Sequence, residues 1–217
     1  MKKLKLIGDS ILAYMPKDML NGIEERHAIE NAPTALLHSL YPKFKDSPAD
    51  VNILCLGVND YFRQYYDEDF PKMTTREIVQ ELVDFIGEIH CDNNGELMVL
   101  SLLPIRQTYP WKLYYSEISK QIPIVNTSLN KFCKSKNISF VDTYSHFADN
   151  NGIMREDLSD DGVHPNQKDG YKVLSNLINN ELKKLNANQS GYVAKEETNQ
   201  ASTNDFKMIG KEDALEK

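Results

Sequence analysis

Little in this chain marks it for disulfides, metals, membranes or polyanions. Its 217 residues hold only three cysteines, Cys55, Cys91 and Cys133, odd in number and far apart. That count argues against a disulfide framework and for reduced thiols in a cytoplasmic setting. Cys55 lies in an apolar run, where a buried structural thiol is expected rather than a nucleophile. No Cys or His spacing fits a metal site, so no metal is expected. The N-terminus is basic but lacks an apolar run of signal-peptide length, and no later run could span a membrane. Dense Lys/Arg patches are missing too, and with a net charge of −7 nucleic acid is not an expected partner. No Gly-x-Gly-x-x-Gly follows the first apolar strand, which speaks against dinucleotide binding, and no cofactor is expected. Internal repeats are absent.

With 41% hydrophobic and 26% charged residues, the chain suits one substantial globular core. Strands are expected at Lys3 to Ile7, His27 to Glu30, Val51 to Leu56, Leu97 to Leu102 and Ile138 to Val141. The central ones are continuous apolar runs, as strands covered on both faces should be, and a parallel sheet follows. Thr74-Thr75-Arg76-Glu77 reads as a capping box, after which Ile78, Leu82, Phe85, Ile86 and Ile89 recur at helical spacing up to about Cys91. A further helix is expected from near Pro123, with Leu129, Phe132 and Cys133. The last runs from about Gln167, capped by Asn166, with Leu174, Leu177, Ile178, Leu182 and Leu185 inward.

Three short segments stand where such strands end or such helices begin: Gly8-Asp9-Ser10, Gly57-Val58-Asn59-Asp60, and Asp161-Gly162-Val163-His164-Pro165. Each alone is equally a turn or a helix cap. Together they supply a serine, an imidazole three residues beyond a carboxylate, and an asparagine amide. A serine hydroxyl needs an imidazole to take its proton, and the imidazole needs a carboxylate to hold its tautomer. The resulting oxyanion needs preorganised donors. Open α/β sheets gather their sites beyond the carboxyl ends of the strands, which is where these segments sit. His27, His38, His90 and His146 lack the context of His164 and read as structural or surface residues. Asp160 reads as a solvated turn residue.

Through these segments the chain resembles the SGNH or GDSL hydrolases, over roughly Lys2 to Leu185. The resemblance implies an α/β fold, a three-layer α/β/α sandwich around a mostly parallel five-stranded sheet of flavodoxin-like order. It also implies esterase chemistry, with Ser10 as nucleophile, His164 as general base and acid, Asp161 as its orienting carboxylate, and Asn59 with the Ser10 backbone N–H as oxyanion donors. The family's second block ordinarily brings a Gly whose backbone N–H joins the oxyanion hole. Here the stretch reads Ala28-Ile29-Glu30-Asn31-Ala32-Pro33-Thr34, and Asn31 is its counterpart. Asn tolerates a left-handed backbone better than most residues.

Substrate is less legible. Tyr61, Phe62, Tyr65 and Tyr66 follow the third strand, and Tyr109, Trp111, Tyr114 and Tyr115 the fourth. These aromatics either pack against neighbouring helices or form a substrate wall, with Arg63 or Arg106 meeting an anionic group. Asp9, Gly57, Tyr61, Arg63, Arg106 and Trp111 are the candidate substrate contacts. A small-molecule ester is the expected partner, foremost a small-acyl (O-acetyl) ester of a carbohydrate, a choice resting on what the family often does. The alternatives are a lysophospholipase or acyl thioesterase, or a non-catalytic glycan-binding protein on the same scaffold. Residues 1–185 are expected to form the hydrolase domain and residues 186–217 a disordered tail, with Phe206 to Ile209 as a docking segment in the alternative reading.

Overall fold

A computed structural model describes residues 2–92, 94–107 and 115–187. Its five strands are β1 (Leu4–Gly8), β2 (Ile23–Ala28), β3 (Val51–Cys55), β4 (Glu96–Leu100) and β5 (Ser139–Val141). All pair in parallel, in the order β2-β1-β3-β4-β5. This is the flavodoxin-like order, with the direction of winding reversing at β1. Every residue of β1 and of β3 is buried, as expected of central strands covered on both faces, including Lys5, whose ammonium donates to the Phe44 and Ser47 carbonyls, and Asn52, whose amide donates to the Asn94 carbonyl.

The helices are α1 (Ser10–Ala13), α2 (Thr34–Leu40), α3 (Val58–Tyr66), α4 (Thr75–Cys91), α5 (Tyr115–Ser135), α6 (Tyr144–Phe147) and α7 over 170–187, with a 3-10 turn at Tyr41–Lys43. Right-handed crossovers from a strand order that reverses at β1 put α1 on one face of the sheet and α2 to α5 on the other. On that second face Ile78, Leu82, Phe85 and Ile86 of α4 join Ile118, Ile122, Val125 and Leu129 of α5 in the core. The capping box at the start of α4 is complete: Glu77 N–H donates to Thr74 Oγ1 at 3.3 Å and Thr74 N–H to Glu77 Oε2 at 2.7 Å.

Contacts divide the chain into two compact units, Met1–Leu177 and Ile178–Lys217. In the first, the opening turns of α7 bury Tyr171 and Leu174. Tyr171 donates its hydroxyl to the Ile11 carbonyl at 3.0 Å, so α7 shares a face with α1. In the second, residues 178–187 are helical. The tail expected to be disordered from residue 186 begins within α7, which includes 186 and 187, and the rest of it, with Phe206 to Ile209, lies outside the described residues. Among those residues no helix is long and apolar enough to cross a membrane.

Two expected elements are corrected. The second strand covers Ile23–Ala28 rather than His27 to Glu30. It lies at the sheet edge and is only half-buried, so Glu24, Glu25 and Arg26 can occupy it without an apolar pattern. The helix expected from near Pro123 is α5, which begins at Tyr115 and holds Pro123 inside it. Pro123 is exposed while Ile122 and Val125 are buried, so the N–H that proline lacks is lost on the solvent side of the helix.

Candidate active site

β1 and β3 approach so closely that a Cβ on Gly8 would stand 2.2 Å from the Cys55 carbonyl oxygen. Only glycine fits there, and the next residue donates its N–H to that same oxygen at 3.1 Å. Asp9 then turns the chain: its carboxylate accepts Ile11 N–H at 3.0 Å and caps α1, which begins with Ser10. Ser10 therefore stands directly beyond the carboxyl end of β1, at the reversal point where such sheets hold their ligands.

The loop Ser159 to Pro165 reaches the same place. Ser10 Oγ lies 2.8 Å from His164 Nε2, and His164 Nδ1 lies 2.6 Å from Asp161 Oδ2. The other Asp161 oxygen accepts the backbone N–H groups of Val163 at 2.9 Å and His164 at 2.8 Å. Burial alone would raise the Asp161 pKa, but these bonds from the His164 ring and the two backbone groups outweigh it and hold the carboxyl well below the usual range. An ionised carboxylate at Nδ1 selects the tautomer with its proton there, leaving the Nε2 lone pair toward Ser10.

The Ala28 to Thr34 stretch and the Gly57 to Asp60 segment meet each other beyond the ends of β2 and β3. Ile29 N–H donates to the Gly8 carbonyl at 2.9 Å, which brings the exit of β2 alongside β1. Asn31 follows with φ 58°, the left-handed conformation anticipated for it. Gly57 (φ 124°) takes a conformation that favours glycine and starts α3, and Asn59 in the first turn donates Nδ2–H to the Ala32 carbonyl at 3.3 Å. Asp60, next along, accepts both the N–H and the hydroxyl of Thr34. Asp60 and Thr34 lie in these segments but neither was given a role, since nothing in the sequence's periodicity links positions 34 and 60. Tyr14 was likewise missed: its ring lies 5.4 Å from that of His164.

Other candidates lie apart from this cluster or are differently engaged. Arg106 has its guanidinium engaged by the loop that carries Asp161 and by Glu156. It donates to the carbonyls of Ser159 at 2.8 Å and Asp160 at 3.5 Å, while its backbone N–H bonds the Gly162 carbonyl at 2.8 Å. Arg63 pairs with Asp67 and lies over the Phe70 ring at 5.0 Å. Tyr61 and Phe62 are core residues, whereas Tyr65 and Tyr66 are exposed. Trp111, Tyr109 and Tyr114 fall outside the described residues. His38 is held between Glu81 and Glu88, and His27 pairs with Glu25. Burial pushes the Cys55 thiol well above its ordinary pKa, which suits a structural thiol.

Two further features bear on chemistry. Asp9 is pushed up to about 7, chiefly by burial, against the opposing effects of Ile11 N–H and the His164 charge. A cavity of about 10 Å³ opens between the neighbours of the serine and the histidine, lined by Ile11, Leu56, Val58, Leu102, Ile105 and Val163. Among the described residues no group of three or more His, Cys, Asp or Glu is placed to hold a metal ion.

Comparison with known proteins identifies the family and the fold. The model of the GDSL-like Lipase/Acylhydrolase family matches residues 6–173. A GDSL-like lipase from Bacteroides thetaiotaomicron superposes with a TM-score of 0.72 at 17% identity, over 85% of this chain and 89% of its own. An acetylxylan esterase from Geobacillus stearothermophilus gives 0.63 at 17% identity, over 82% and 92%. At such identities the likeness is one of fold. Among curated proteins none matches.

Proposed function

The chain belongs to the GDSL-like lipase/acylhydrolase family and is a carboxylic ester hydrolase, and from that premise we propose that it works through Ser10, His164 and Asp161 on a small-acyl ester of a carbohydrate. The observation that carries this reading is the unbroken hydrogen-bond chain from Ser10 Oγ to His164 Nε2 at 2.8 Å and from His164 Nδ1 to Asp161 Oδ2 at 2.6 Å.

His164 Nε2 takes the Ser10 proton as Oγ attacks the ester carbonyl, and Asp161 stabilises the imidazolium that forms. The tetrahedral oxyanion is met by the Asn59 amide and the backbone N–H groups of Ser10 and Asn31. His164 then returns the proton to the leaving alcohol, and water repeats the sequence on the acyl-enzyme. The acetylxylan esterase of similar fold has serine-to-alanine and histidine-to-alanine forms described as catalytic mutants, which is consistent with these roles.

The small acyl size and the carbohydrate leaving group both draw their support from the likeness to the acetylxylan esterase. A cytoplasmic setting belongs to the same proposal and draws on the absence of any disulfide among the three cysteines.

The test is a series of esters with one leaving group and rising acyl length, read as kcat/KM. A longer chain that finds no room meets overpacking costs of about 1–3 kcal/mol, so the rate should peak at acetyl and fall by butyryl. A peak at octanoyl would replace the acetyl reading with a lysophospholipase or thioesterase. No turnover of any ester, with Ser10 inert to an organophosphate, would favour the glycan-binding alternative.

A further inference from the structure

Two carboxylates are buried near the site, Asp9 next to Ser10 and Asp60 next to Asn59, each only 1% exposed. Neither transfers a proton in the mechanism above. Asp9 is accounted for locally, as the cap of the helix that starts with the nucleophile. Asp60 is different, because its partner is 26 residues away in sequence. Its two oxygens accept Thr34 N–H at 3.1 and 3.2 Å, and Oδ2 also accepts the Thr34 hydroxyl at 2.8 Å. A charge removed from water is costly unless hydrogen-bonded, and beyond its own backbone N–H the compensation comes from Thr34.

The placement of the two ends matters. Asp60 directly follows Asn59 in the first turn of α3, and Thr34 opens α2 three residues after Asn31. One bridge thus ties the segment bearing the side-chain oxyanion donor to the segment bearing a backbone donor. A second crossing runs parallel to it, from Asn59 Nδ2 to the Ala32 carbonyl at 3.3 Å. That bond uses one hydrogen of the amide and leaves the other for a substrate oxygen.

We infer that Asp60 is a positioning residue, which by gripping Thr34 sets the spacing between the Asn31 segment and Asn59 and so the width of the oxyanion hole. The inference rests on the roles proposed for Asn59 and Asn31. It differs from a purely structural cap on α2 in one respect: a structural cap supports folding alone, whereas a spacer for the hole acts through Asn59 and only in the transition state.

A double-mutant cycle separates the two. Rates on 4-nitrophenyl acetate are measured for the wild type, Asp60→Ala, Asp60→Asn and Thr34→Val, each with and without Asn59→Ala. Because misplacing a catalytic group by about 1 Å can cost about a hundredfold, Asp60→Ala should lower kcat by about tenfold to a hundredfold with KM changed less than about twofold. Asp60→Asn still offers an acceptor to Thr34 N–H and should recover most of the rate. On the Asn59→Ala background, Asp60→Ala should add less than about threefold, since residues acting as a unit lose non-additively. Equal losses on both backgrounds, a loss carried by KM, or an undiminished rate would overturn the inference. If Asp60→Ala fails to fold, Thr34→Val runs the same cycle from the other end of the bridge. Ser10→Ala tells the two failures apart. Turnover surviving that change refutes the proposed active site, whereas turnover lost there but kept in Asp60→Ala refutes only the role of Asp60.

Discussion

Asp161 holds His164 at two points: Oδ2 lies 2.6 Å from the ring Nδ1, and Oδ1 accepts the backbone N–H of the same residue at 2.8 Å. A spacing of three residues closes both bonds within one short loop, so the imidazole is oriented before α7 begins. The same bonds make the Asp161 carboxyl a stronger acid in the folded protein.

That shift has a pH signature. A carboxyl whose folded pKa is depressed adds stability above its unfolded value near 3.9, and the contribution is lost as pH falls toward the folded value. Asp161→Asn should therefore melt below the wild type at pH 6 to 7, with the gap narrowing as the pH drops through about 4. Thermal melts from pH 7 to pH 3 check this, and a gap that widens toward acid would contradict it. Asp161 is about half exposed, so the gap at neutral pH should be modest.

Asp9 should behave in the opposite sense. Its folded pKa is raised to about 7, so the unfolded chain releases the proton near pH 4 while the folded protein keeps it, and stability is lost between those values. Asp9→Asn retains an acceptor for Ile11 N–H and has no charge to bury. It should match the wild type near pH 4 and become progressively more stable than it up to about pH 7, then hold that advantage. A constant difference across the range would show that burial of the charge is not the cause.

Ser10→Ala and His164→Ala should each remove nearly all esterase activity while leaving the melting curve in place, and the double variant should be scarcely worse than either. Asn59→Ala should lower kcat by about 10²- to 10³-fold with little effect on KM, as expected of a donor used chiefly in the transition state. Steady-state kinetics on an acetyl ester read both results, and undiminished turnover in Ser10→Ala would refute the mechanism.

Arg106→Ala should loosen the loop that carries Asp161 and His164. The carbonyl of the fully buried Ser159 loses its guanidinium donor, and such an orphan costs about 1–3 kcal/mol. A lower melting temperature and a reduced kcat are expected, with Arg106→Lys restoring part of each through its single ammonium. An unchanged kcat with weakened binding of an anionic ester would instead return Arg106 to the substrate side.

The motif residues were legible because their chemistry is local. Glycine at position 8 serves a strand end two residues before Ser10, and Asp161 meets His164 within one loop. The capping box at Thr74 and Glu77 and the apolar stripe of α4 are likewise complete within a few turns, and β1 and β3 declare themselves as predominantly apolar runs in which only Lys5 and Asn52 are polar. Such patterns depend on neighbours in sequence, so residue type and spacing suffice to read them.

Other features were decided only by residues distant in sequence meeting in space. β2 became a strand because β1 offered a parallel edge, despite the polar residues it carries. Pro123 was absorbed into α5 because it faces solvent while Ile122 and Val125 are held in the core. Arg106 turned toward the loop at 159–162, Tyr61 toward the interior, and Asp60 toward Thr34. Each of these outcomes follows from satisfying a buried polar group or filling a core position with a partner that no local period identifies, and so the chain had to fold before they were fixed.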